Sequence, residues 1–179
     1  MTSPSATATP PMGTMAIPST RQQFLDAFQR ESAITSKVID AFPADQPDFK
    51  PHPKSNSAKQ LVWTFSVEAG VIAAALKNQF EIKGGFPPAP ETWEETVSSF
   101  RKTREQVISA LSQAREEDFA GTVKFFTGPK QMGDVPKAEL FWFMLFDQIH
   151  HRGQLSVYVR LTGGKVPSIY GPSADEPWR

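Results

Sequence analysis

The sequence predicts an all-α domain built as a four-helix bundle, and three observations carry that reading. Apolar residues return at every third or fourth position through four long segments. Proline- and glycine-rich stretches, which end helices, separate those segments. The chain has 179 residues and no internal repeat, which suits one core, since domains cluster near roughly 100–150 residues. A bundle is the simplest way to bury four such faces.

Residues 1–18, MTSPSATATPPMGTMAIP, lack periodicity and are expected to be a disordered leader, because they cannot bury enough apolar area to offset ordering entropy. The folded domain is then 19–179. Phe24, Ala27, Phe28, Ile34, Val38 and Phe42 mark the first helix, with Thr20 as its expected N-cap and Pro43 as its stop. A proline-rich connection follows, and Ser57 is placed to cap a second helix running to about Ile82. Its apolar residues nearly encircle the axis, as in a helix packed on more than one side. Gly84-Gly85-Phe86-Pro87-Pro88 is the expected terminator.

Thr92-Trp93-Glu94-Glu95 reads as the capped start of a third helix carrying Val97, Phe100, Val107, Ile108 and Leu111. Beyond Asp118, Val123, Phe125 and Phe126 flank a Thr-Gly-Pro turn, which fits a short β-hairpin or an ordered loop. Pro136 is placed as the first residue of a fourth, strongly apolar helix that ends at Gly163-Gly164. The tail keeps Ile169, Tyr170 and Trp178, enough apolar surface to fold back on the bundle.

Lys plus Arg and Asp plus Glu both number 19, so no net field gathers phosphates, which argues against nucleic-acid binding. No apolar run approaches the ~18 residues of a membrane span, and no secretory signal pattern opens the chain. The absence of cysteine excludes disulfides, zinc-thiolate sites and a protein thiol nucleophile, and it fits a reducing cytoplasm. Any metal must rest on His, Asp and Glu.

Asp147 and His151 are four apart and share a face of the fourth helix, while His150 lies about 100° round the axis from His151. Such a pair offers two ligands to a cation or an orienting acceptor to a general base; it also fits a core histidine paired with a carboxylate. Thr64 and Glu68 share a face of the second helix in the same way. Glu68 is a further ligand candidate, although a Glu in a long helix is more often solvated. Gly153 costs its helix about 1 kcal/mol relative to Ala, which is easiest to understand if another backbone approaches there. Arg152 and Gln154 then flank the site, and Tyr170 is a pocket candidate from the tail, with Asp175 and Glu176 beside it.

These residues carry a resemblance. FDQIHHRGQLSVYVRLTGGKVPSIYGPSADE resembles the last helix and tail of the DinB/YfiT-like family, and PHPKSNSAKQLVW resembles the approach to its second helix. HHRGQ is the most specific block, and the resemblance spans about residues 20–177. It implies an up-down-down-up bundle, usually a homodimer, with a divalent metal between helices two and four. The family's typical ligands are three histidines, one from L-x-W-H and two from H-x-x-x-H. Carried over, the last falls on His151, the preceding one on Asp147, and the W-H position on Trp63-Thr64. A Thr hydroxyl is a poor ligand, so the expected metal set reduces to Asp147 and His151, with Glu68, Thr64 and His150 as further candidates. Trp63, Arg152, Gln154 and Tyr170 are the expected pocket residues.

The resemblance further implies Zn, Ni, Mn or Fe as the metal, a small-molecule substrate, and a low-molecular-weight thiol such as mycothiol or bacillithiol as cosubstrate. Thiol-dependent transfer or metal-assisted hydrolysis is the corresponding activity. The alternative, which Thr64 favours, is a metal-free member whose pocket binds a small molecule or which supports a dimer. The family's name refers to induction by DNA damage, a matter of regulation rather than of DNA contact.

Overall fold

The computed structural model describes residues 19–81 and 85–178. The expected leader, 1–18, lies outside the described residues. The helices are α1 (Thr20–Asp40), α2 (Ala58–Leu76), α3 (Trp93–Gln113) and α4 (Lys137–Leu161). Strands β1 (Thr122–Gly128) and β2 (Gln131–Pro136) stand between α3 and α4. The segment that admitted a hairpin or a loop is an antiparallel hairpin, with Val123 opposite Val135 and Phe125 opposite Gly133.

Local chemistry explains most boundaries. Ser19, rather than Thr20, caps α1, its hydroxyl accepting from the Gln22 amide at 3.3 Å. Ser57 and Gln60 form a reciprocal capping box on α2, at 3.2 and 2.8 Å. Thr92 and Glu95 do the same for α3. α2 stops at Leu76, short of the expected Ile82, which itself lies outside the described residues. Asn78 takes a left-handed φ of 55° and accepts a 2.6 Å hydrogen bond from Lys137 Nζ. The turned chain sets the Phe80 ring 5.9 Å from that of Phe125 in the hairpin. Pro136 closes β2 and caps α4 instead of opening it.

α1 packs on α3 and α4, and α2 packs on the same two helices, in the up-down-down-up arrangement. The core falls into two apolar clusters. One gathers Phe24, Phe28, Ile72, Leu111, Phe141 and Leu145; the other gathers Val38, Ile39, Leu61, Phe65, Phe100 and Leu155. Every helix passes from one cluster to the other, and the buried residues that α1, α2 and α4 carry between them are polar. Glu31, Ser32 and Thr35 on α1, Ser66 and Glu68 on α2, and Gln148 and Arg152 on α4 are all buried. The bundle therefore has a polar waist, and polar groups there need partners or a function.

On the α1 side the waist is satisfied. Arg152 donates to the Glu31 carbonyl at 3.1 Å and to its carboxylate at 3.0 Å. The tail folds back so that the Tyr170 hydroxyl donates to Glu31 at 2.5 Å and accepts from Arg152 at 2.6 Å. Arg160 holds Asp175, whose carboxylate also accepts from the Val166 amide, so the tail is tied down at two places. Gly153 is exposed, and nothing of the chain lies within 4 Å of where its Cβ would be. The close backbone approach expected there is not made by this chain's described residues. No helix among the described residues is long and apolar enough to cross a membrane.

Candidate metal centre

On the α2 side of the waist, three ionisable groups converge where α2 packs on α4. Glu68, Asp147 and His151 each offer one ligand atom, all within 4.8 Å of one another. His151 Nε2 stands 3.6 Å from Asp147 Oδ1, as the helical i, i+4 spacing dictates, and 3.9 Å from Glu68 Oε1 across the helix contact.

Glu68 is the unusual member. It is 5% exposed, and neither carboxylate oxygen receives a hydrogen bond. Its near neighbour is another carboxyl group, which can become a partner only if one of the two holds a proton. Burial first, and then the hydrogen bonding and charge of Asp147, push the Glu68 carboxyl up to about 10. Without a cation it is therefore neutral at pH 7. Such a carboxyl is costly to keep unless something positive is meant to face it.

His151 is held in place by its own helix neighbours. Its Nδ1 is 3.2 Å from Gln154 Oε1, and Gln154 Nε2 is 3.0 Å from His150 Nε2. Hydrogen roles assigned to satisfy this chain make Gln154 accept from Nδ1–H and donate to His150, which leaves the His151 Nε2 lone pair facing the carboxylates. An outer partner that fixes the tautomer is the usual accompaniment of a ligating histidine. The donor set is one nitrogen and two carboxylates, with a buried carboxyl lacking any other partner; it fits a divalent cation.

The centre adjoins a cavity of about 410 Å³ that has Glu68 and Asp147 in its wall. The rest of the lining is mainly apolar, from Val67 and Val71 on α2, Phe125 and Phe126 on β1, and Phe143 and Met144 on α4. The Trp63 indole donates to the Pro87 carbonyl at 2.8 Å, pinning the segment after α2 over the opening.

The structure distributes the expected residues unevenly. Asp147, His151 and Glu68 meet. Thr64 lines the cavity one turn before Glu68, but its hydroxyl donates to the Gln60 carbonyl at 3.0 Å. The carboxylate from α2 thus comes from Glu68, one turn past the position the resemblance marks. His150 is exposed and reaches the centre only through Gln154. Trp63 lines the cavity, whereas Arg152 and Tyr170 belong to the Glu31 cluster on the other side of α4. Sequence reasoning passed over Phe86 and the Phe125-Phe126 wall; paired aromatics in a hairpin too small to have its own core were the available signal.

Residues 12–178 match the model of the DinB family. This chain belongs to the DinB family. The uncharacterized protein YrdA of Bacillus subtilis is 24% identical over 158 residues, 88% of this chain and 92% of YrdA. A DinB-like protein of Bacillus cereus superposes with a TM-score of 0.67 at 23% identity, covering 83% of this chain and 97% of its own. The DinB-like YjoA of Bacillus subtilis gives 0.56 at 23% identity, over 79% and 92% of the two chains. These likenesses establish the DinB fold. Within that fold this DinB member builds its ionisable cluster from two carboxylates and one histidine.

Proposed function

We propose that this chain is a metal-dependent enzyme that holds one divalent cation through Glu68, Asp147 and His151 and acts on a small molecule seated in the adjoining apolar cavity. The observation that carries the reading is the Glu68 carboxyl, buried, without a hydrogen-bond donor, and aimed at two other ligating groups. Zn, Ni, Mn or Fe suits a set of one imidazole and two carboxylates. Such a cation supplies a Lewis acid that lowers the pKa of a thiol or of water, the nucleophiles of thiol-dependent transfer and of hydrolysis. The chain has no cysteine, so a thiol enters as a low-molecular-weight cosubstrate. Gln154 orients His151, Glu68 would hold the cation as the carboxylate, and the phenylalanine walls would seat the apolar body of a substrate beside it. Thermal melting with added Mn or Zn tests this reading. The melting temperature rises with metal for the parent and stays unchanged for Glu68→Gln; equal shifts in both overturn it.

The homodimer implied by the resemblance has its own support. Phe143, Phe146, Val157 and Leu161 are all more than half exposed and follow one face of α4 through Gly153. Two α4 helices crossing antiparallel about His150 would bring Phe146 of each copy toward Gly153 of the other and Phe143 toward Val157. Large against small is the packing a glycine at that position allows.

A further inference from the structure

A second cavity, of about 520 Å³, lies between α2 and α3 and shares Trp63, Val67, Val71, Phe86 and Pro87 with the first. Its character differs. α3 contributes Ser99, Lys102, Thr103 and Gln106, and α2 contributes Ser66 and Gly70, one turn apart on the same face. Two features are unexplained by packing. Ser66 is 5% exposed, yet its hydroxyl has no hydrogen-bond partner. Gly70 sits mid-helix, where Gly costs about 1 kcal/mol relative to Ala, and nothing lies within 4 Å of where a Cβ would be. No neighbour demands a glycine there; the missing side chain instead leaves the cavity open beside a hydroxyl that lacks a partner.

Among the described residues of this lining, Lys102 is the one cation. The packing of Phe65 on Phe100, with ring centroids 5.9 Å apart, puts Lys102 level with Ser66 along the bundle. The lining's one carboxylate, Glu81, comes from beyond the end of α2. We propose that the second cavity is a subsite for the anionic end of an elongated ligand, a carboxylate or sulfonate held by Lys102 and the Ser66 hydroxyl, whose apolar body crosses the shared Trp63–Phe86 wall into the first cavity. This rests on reading the first cavity as the substrate site and extends it to a substrate class: amphipathic organic anions.

The test compares two fluorescent probes with the same aromatic body, anilinonaphthalene sulfonate and the uncharged N-phenyl-1-naphthylamine. The parent protein binds the sulfonate about tenfold more tightly than the neutral probe, as a charge-assisted contact in a part-buried site provides. Lys102→Met brings the ratio of the two dissociation constants near one, and Gly70→Leu weakens the sulfonate about tenfold while sparing the neutral probe. Circular dichroism and melting temperature confirm that each variant is folded. A ratio unchanged in Lys102→Met, or sulfonate binding unchanged in a folded Gly70→Leu, overturns the proposal. Metal content measured on the same samples separates the two readings. Metal absent from the parent but a ratio that collapses in Lys102→Met sinks the metal centre and leaves the subsite standing.

Discussion

Glu68 Oε1 and His151 Nε2 lie 3.9 Å apart across the contact of α2 with α4, and neither Glu68 oxygen has a donor. The pair relates two helices that the apolar clusters already hold together, so the centre is a product of core packing rather than of a flexible loop. The opposite side of the same waist, Arg152 on Glu31, shows what a satisfied buried charge looks like in this bundle.

The protonated state of Glu68 gives stability a pH dependence with a definite sign. In the folded, metal-free protein the carboxyl stays neutral to about pH 10, whereas the unfolded chain ionises near the ordinary value of 4.5. Between those values the folded state binds the extra proton, so this group's contribution is fully present below 4.5 and is lost as pH rises toward 10. Urea unfolding of metal-free protein at a series of pH values is expected to show that fall, at most about 1.4 kcal/mol per unit for one proton. Glu68→Gln flattens the trend. Identical pH profiles for parent and variant contradict the assignment.

Metal uptake must displace the same proton. Isothermal titration at pH 7 in buffers of different ionisation enthalpy should therefore show about one proton released per cation, with affinity rising with pH. Glu68→Gln eliminates that release. No dependence on the buffer in the parent means that Glu68 is not a ligand.

The Arg152–Glu31–Tyr170 cluster should behave as structure. Burial alone would raise the Glu31 carboxyl, but hydrogen bonds from Tyr170, Arg152 and Arg30 outweigh it and hold the carboxyl below its ordinary value. Its stabilising effect is present above pH 4.5 and is lost as pH falls through the lowered value. Arg152→Met removes the buried charge partner of Glu31 and leaves it only Arg30 and Tyr170, so the expected cost falls at the lower end of about 3–5 kcal/mol. Tyr170→Phe removes one hydroxyl and should cost about 1–3 kcal/mol, with metal content unchanged. Chemical denaturation measures both, and a Tyr170→Phe protein that loses metal contradicts the separation of the two sides of α4.

The exposed α4 face predicts a change of assembly. Phe146→Glu should convert a dimer into a monomer by multi-angle light scattering, with the helical spectrum intact. A parent protein that is monomeric at every concentration contradicts the dimer.

Periodicity and caps made the four helices readable, because Ser57 with Gln60 and Thr92 with Glu95 write their starts into local spacing. The end of α2 was not readable: what stops it is the left-handed Asn78 and its tie to Lys137, a contact with residues far along the chain. In the centre, Asp147 and His151 were visible as an i, i+4 pair on one helix. Glu68 entered only as a further candidate, since a lone carboxylate on α2 carries no sign of burial until α4 is packed against it. The W-H position at Trp63-Thr64 pointed one turn too early, about 5.4 Å along the axis. Arg152 and Tyr170 went the other way, because the side of α4 they take depends on where α1 and the tail lie.

The most direct test of the central claim is elemental analysis of untagged protein purified without chelator or nickel resin, beside Glu68→Gln and an Asp147→Ala/His151→Ala control. The account predicts close to one divalent ion per chain in the parent, with loss in both variants. A parent free of metal, or a Glu68→Gln protein that retains the parent's metal, contradicts it.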